Sequence, residues 1–145
     1  MTLVEFNING VLSKYPKLVV ECTQNGEVRL KGFIDFDITH CDTRIIDSYD
    51  MEIIIADSYP INIPVVKEVG CRIMSKFEHI YSDRSLCLAT EANIHIELNP
   101  NYDLLDFVEK FVIPFLFSYS YFEKYKVVPY GERSHGLDGI VEFYM

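Results

Sequence analysis

The sequence predicts an α+β domain: an antiparallel four-stranded meander flanked by an N-terminal helix and C-terminal helices. Three observations in the residues carry it. Apolar and polar residues alternate with period two between Val28 and Ile38 and again from Tyr49 to Ala56. Leu104, Val108, Phe111, Val112 and Phe115 recur at helical spacing. The connections between the strand-like stretches are too short for crossover helices, which favours antiparallel neighbours with helices on one face.

Taken in order, residues 2–14 suit a short helix whose second half is weakened by Gly10. Lys17 to Thr23 reads as a strand with Leu18, Val20 and Cys22 on one face, and Asn25-Gly26 supplies a hairpin turn. In the next strand Val28, Leu30, Ile34, Phe36 and Ile38 share one face, and Arg29, Lys31, Asp35 and Asp37 the other. A third strand, Tyr49 to Ala56, sets Met51, Ile53 and Ile55 against Asp50 and Glu52; a fourth runs from Pro64 to Val69 and stops at Gly70. A long irregular stretch, Ser58 to Asn99, surrounds that fourth strand. Asn101, Asp103 and Asp106 then announce a helix start. Pro114 should kink or divide that helix, because proline has no N–H to donate. Beyond an irregular tail from Lys126 to Glu132, a last short helix is expected from Leu137 to Tyr144.

With 145 residues and 49% hydrophobic content, residues 1–145 read as a single domain, long enough to bury roughly 70% of the surface of its unfolded chain. A formal charge of −9 and the lack of any run of Lys and Arg weigh against nucleic acid as a partner. The N-terminal residues carry no basic region, so no secretory or transit signal is expected. The longest uncharged apolar run, Phe111 to Phe122, falls short of the about 20 residues a bilayer requires. A cytoplasmic protein that does not engage membranes is the expectation, with Cys22, Cys41, Cys71 and Cys87 as reduced thiols. No Cys-x-x-Cys pair occurs and His40-Cys41 lacks further ligands nearby in sequence, so neither a metal nor a cofactor is expected.

The chemistry-bearing residues fall in the irregular stretch: Tyr59-Pro60-Ile61-Asn62-Ile63-Pro64, then Phe77-Glu78-His79, then Ser85-Leu86-Cys87-Leu88-Ala89. Long irregular segments in compact domains are disproportionately functional. A cysteine can hold an acyl group as a thioester and pass it to another nucleophile. Collapse at the acyl carbon places charge on an oxygen, and a nearby donor such as an imidazole lowers that barrier. Glu78 and Asp83 could bias the pKa of His79 upward, although surface carboxylates beside a loop are commonplace.

The order of these pieces resembles the ubiquitin-conjugating enzyme family, in which a strand leads to a Tyr-Pro-x-x-Pro-Pro turn, a His-Pro-Asn element and a nucleophilic Cys followed by Leu. The resemblance implies Cys87 as nucleophile, His79 in the place of the oxyanion-stabilising Asn, and Tyr59, Pro60 and Pro64 as the structural turn. Only the second proline of that turn is present, at Pro64, and the Trp usual after the Cys is missing. His in the Asn position and Ser-Leu-Cys-Leu around the nucleophile look like the bacterial branch. The tail from Tyr130 to Tyr144 looks like the stand-alone conjugating proteins of short type II CBASS antiphage operons. That resemblance implies a protein partner, a cGAS-like nucleotidyltransferase joined to Cys87 through its C-terminal Gly.

Two other readings remain open at this point. One is a noncatalytic interaction module on the same fold. The other is a Cys-His hydrolase pairing Cys87 with His135, oriented by Asp138, although the residues after Cys87 give no convincing helix start. The chain ends Glu142-Phe143-Tyr144-Met145, so it is not expected to be the conjugated modifier itself.

Overall fold

The computed structural model describes residues 7–23, 25–56, 63–74, 80–88 and 103–126. Helix α1 (Ile8–Lys14) leads to strands β1 (Val19–Cys22), β2 (Val28–His40), β3 (Thr43–Ile55) and β4 (Val65–Glu68). Then come α2 (Leu104–Phe107), a π-helical turn (Val108–Val112) and α3 (Ile113–Tyr125). The strands form one antiparallel sheet in the order β1-β2-β3-β4, the expected meander.

Gly10 does not end α1; it permits the cap. The Asn7 side chain accepts the Gly10 N–H at 3.2 Å, and a Cβ on Gly10 would lie 2.6 Å from that side chain. Asn7 also donates to Asp103 at 3.0 Å. Asp103 is itself the N-cap of α2, in a capping box with Asp106. The Lys14–Glu109 ion pair adds a second tie between the first helix and the later helical segment.

β1 is shorter than expected, and of its anticipated inner face only Leu18 is buried, while Cys22 is exposed. As the chain enters β1 it crosses β2 at Gly32, whose φ is 142°. There a Cβ would stand 2.3 Å from the Lys17 carbonyl oxygen, so only glycine fits. β2 follows its predicted alternation, with Val28, Leu30, Ile34 and Phe36 buried. β3 begins six residues before the expected Tyr49. His40 pairs with Thr43 across a two-residue turn in which Cys41 and Asp42 both have positive φ, 50° and 66°. That is the primed turn whose twist matches its strands.

The inner face of the sheet packs against the helical segments through Ile45, Tyr49, Met51, Ile53, Ile55, Phe107, Phe111 and Leu116, all buried. Each such side chain contributes roughly 1.5–3 kcal/mol. Pro114 does not break the helix. The wider π turn immediately before it keeps the backbone helical on both sides, so the missing N–H is accommodated by a local widening.

Polar groups inside this core are paired. The Tyr49 hydroxyl lies 2.6 Å from Ser120 Oγ and donates to the Leu116 carbonyl at 3.3 Å. Tyr119 Oη accepts from the Met74 N–H at 2.9 Å and donates to the Arg72 carbonyl at 3.2 Å. Arg72 lies over the Tyr49 ring, 4.2 Å from its centroid, and joins Asp47 and Glu123 at 2.6 Å each.

Burial alone would raise the pKa of Asp47. The hydrogen bonds from Arg72 and Ser120 outweigh it and hold the carboxyl below its ordinary value. Its contribution to stability is therefore present above the unfolded pKa of about 4 and is lost as pH falls through the lower, folded value. Asp47→Asn should lower stability at neutral pH and flatten the acid limb in urea midpoints measured across that range. An unchanged slope would show that Asp47 does not drive the acid response.

Candidate functional site

Cys87 sits at the end of a short strap, Ile80 to Leu88, laid along β4. The strap folds as a small hairpin: the Tyr81 N–H donates to the Ser85 carbonyl at 2.9 Å, and the Arg84 N–H to the Tyr81 carbonyl at 2.9 Å. Isolated bridges join Ile80 to Leu86 and Lys67 to Ser85. Two backbone bonds moor it to β4, Glu68 N–H to the Arg84 carbonyl at 3.0 Å and Leu86 N–H to the Val66 carbonyl at 2.8 Å.

Alternation along this extended backbone decides which side chains go in. Ile80, Leu86 and Leu88 are buried, while Cys87 between the two leucines is only half-buried. Cys87 lies outside any strand or helix, within the stretch read from sequence as irregular.

Tyr81 is the residue that sequence reasoning missed. It is 58% exposed and shares the outward face of the hairpin with Cys87, as diagonal cross-strand neighbours do. Its interaction with the Cys87 side chain holds the Tyr81 phenol above the usual tyrosine value. The signal for it was the polar run Ser82-Asp83-Arg84-Ser85, which is turn-like and brings Tyr81 back towards Cys87.

Arg84 holds the turn in a left-handed conformation, φ 74°, which costs a non-glycine residue about 1–2 kcal/mol. Its guanidinium pairs with the carboxylate of Glu68 and donates to the Glu68 carbonyl at 3.2 Å. Glu68 is 0% exposed and also accepts the N–H of Ile73 at 2.9 Å and of Arg72 at 3.2 Å. A buried carboxylate is tolerated only when its lone pairs are satisfied in this way. Asp83, considered above as a neighbour for His79, accepts from the Ser85 N–H and hydroxyl, at 2.9 Å and 2.6 Å; those bonds hold its carboxyl below the ordinary value.

Of the other candidates, Pro64 is buried immediately before β4, where its lack of an N–H is tolerated. His79, His135, Tyr59 and Pro60 lie outside the described residues, as do Glu78 and Asp138. His40 packs edge-on against Phe117, 6.3 Å between ring centroids, and Cys41 forms the adjacent hairpin turn. Among the described residues no group of three or more His, Cys, Asp or Glu side chains is placed to hold a metal. No described helix is long and apolar enough to cross a membrane. No protein-family model matches the chain, and no curated protein sequence matches it.

Proposed function

We propose that this chain is a thioester-forming acyl carrier and transferase of the ubiquitin-conjugating kind, with Cys87 as its nucleophile. The observation that supports it most is the placement of Cys87: a half-buried cysteine, outside strand and helix, on a strap fixed to the sheet edge. The Cys87 thiolate attacks the carbonyl of an activated C-terminal glycine. The resulting tetrahedral oxyanion collapses, expelling the activating group and leaving the acyl chain on sulfur. An acceptor nucleophile then repeats the attack and returns the thiolate. His79, by its sequence position, is assigned as oxyanion donor or base. We assign the acyl donor as a protein ending in glycine, a cGAS-like nucleotidyltransferase of a cytoplasmic bacterial antiviral system, on the motif resemblance alone.

The hydrolase reading gains no support from the strap, because Cys87 and Leu88 follow an extended segment and carry no helical turn. The test is a trap. A synthetic peptide ending in glycine, carried as the thioester of a small thiol, is mixed with wild type, Cys87→Ala and Cys87→Ser. Wild type should give a reductant-labile adduct, Cys87→Ala none, and Cys87→Ser a slower oxyester that reductant leaves intact. An adduct of equal yield on Cys87→Ala would overturn the assignment.

A further inference from the structure

We infer that the Glu68–Arg84 pair is a positioning device for Cys87, clamping the strap so that Cys87 and Tyr81 stand side by side on its outward face. The inference deepens the proposed role of Cys87 and rests on it for its functional meaning.

The strap is short, and only two backbone bonds moor it to β4. Arg84 makes the first of them and adds two side-chain ties to the same residue. Its carbonyl takes the Glu68 N–H, its Nε returns a bond to the Glu68 carbonyl, and its guanidinium pairs with the Glu68 carboxylate. The same carboxylate gathers the N–H groups of Arg72 and Ile73, so one buried group ties β4, the following loop and the strap. A turn that needs positive φ is most easily made with glycine. Arginine there accepts backbone strain and supplies a guanidinium that glycine lacks. Strain held in place by its surroundings is a known companion of functional sites. Three residues further on stands Cys87, diagonal to Tyr81 across the hairpin. Without the clamp the hairpin could still pair internally, but its hold on the sheet edge would loosen.

The test uses the full chain carrying tyrosine labelled at the ring carbon bearing the hydroxyl, titrated by NMR. In wild type the Tyr81 resonance should titrate above the ordinary tyrosine value of about 10, and in Cys87→Ala it should return there. Arg84→Ala should move Tyr81 the same way as Cys87→Ala does, while Arg84→Lys, which keeps a cation for Glu68, retains most of the wild-type behaviour. Amide exchange at Glu68 and Leu86 should quicken by about 10-fold or more in Arg84→Ala, with Leu30 and Ile53 in the central strands unchanged.

The proposal is overturned if Tyr81 titrates in Arg84→Ala as in wild type. It is equally overturned if Leu30 and Ile53 lose protection to the same degree, since the pair would then serve the fold as a whole. Should Arg84→Ala not fold, Glu68→Gln carries the same expectations and the same contrary results. No acyl donor enters this experiment. A failed clamp therefore leaves the transfer reading standing, and a failed acylation with the Tyr81 signature intact removes only the transfer reading.

Discussion

Glu68→Ala should destabilise the protein by about 3–5 kcal/mol, the range for removing one partner of a buried ion pair. The loss has identifiable parts. The Arg72 and Ile73 N–H groups lose their acceptor, the Arg84 guanidinium loses its counter-charge, and a cavity opens in a fully buried position. Glu68→Gln, which keeps an acceptor oxygen, should cost less. Urea midpoints with an unchanged m-value would read both effects. A loss below about 1 kcal/mol for Glu68→Ala would mean the carboxylate behaves as a surface group, against its burial.

The second large effect is kinetic. If the imidazole of His79 stabilises the developing oxyanion, His79→Ala should slow acyl transfer by roughly 10²–10³-fold while leaving partner binding unchanged. His135→Ala should stay within a few-fold of wild type. Single-turnover transfer from preloaded Cys87 separates the chemical step from loading. The reverse pattern, with His135→Ala severe and His79→Ala harmless, would favour the hydrolase. Wild-type rates for both, with Cys87→Ala also harmless, would leave a binding module.

Much of the sheet was legible because one face of it is buried and the other is not. In β2 every second residue from Val28 to Phe36 faces the core apart from Gly32, so period two is nearly unbroken. β3 was read too short because Ile46, 67% exposed, spoils the alternation where Asp47 and Ser48 carry polar contacts. The turn before it also lacks the glycine that usually marks a hairpin, Cys41 and Asp42 taking positive φ instead. Pro114 was legible as a disturbance but not as a π turn, since a one-residue widening leaves no trace in apolar spacing.

At the site, Cys87 could be singled out from its neighbours, and it is half-buried on a segment outside strand and helix. Glu68 carried no signal of its own in the sequence, yet it is fully buried and accepts the Ile73 N–H. Tyr81 and Arg84 matter through a hairpin that no hydrophobic pattern announces. Their roles depend on through-space pairing, which local sequence does not encode.

The central claim is that Cys87 is singled out chemically among four free thiols, three of them more exposed. The most direct measurement is the intact mass of wild type after mixing with the glycine-thioester peptide, followed by digestion to locate the added mass. The account predicts one acyl group per chain, on the peptide containing Cys87, removed by excess thiol. An added mass spread over Cys22, Cys41 and Cys71 according to their exposure, with Cys87 no more acylated than they are, would contradict it.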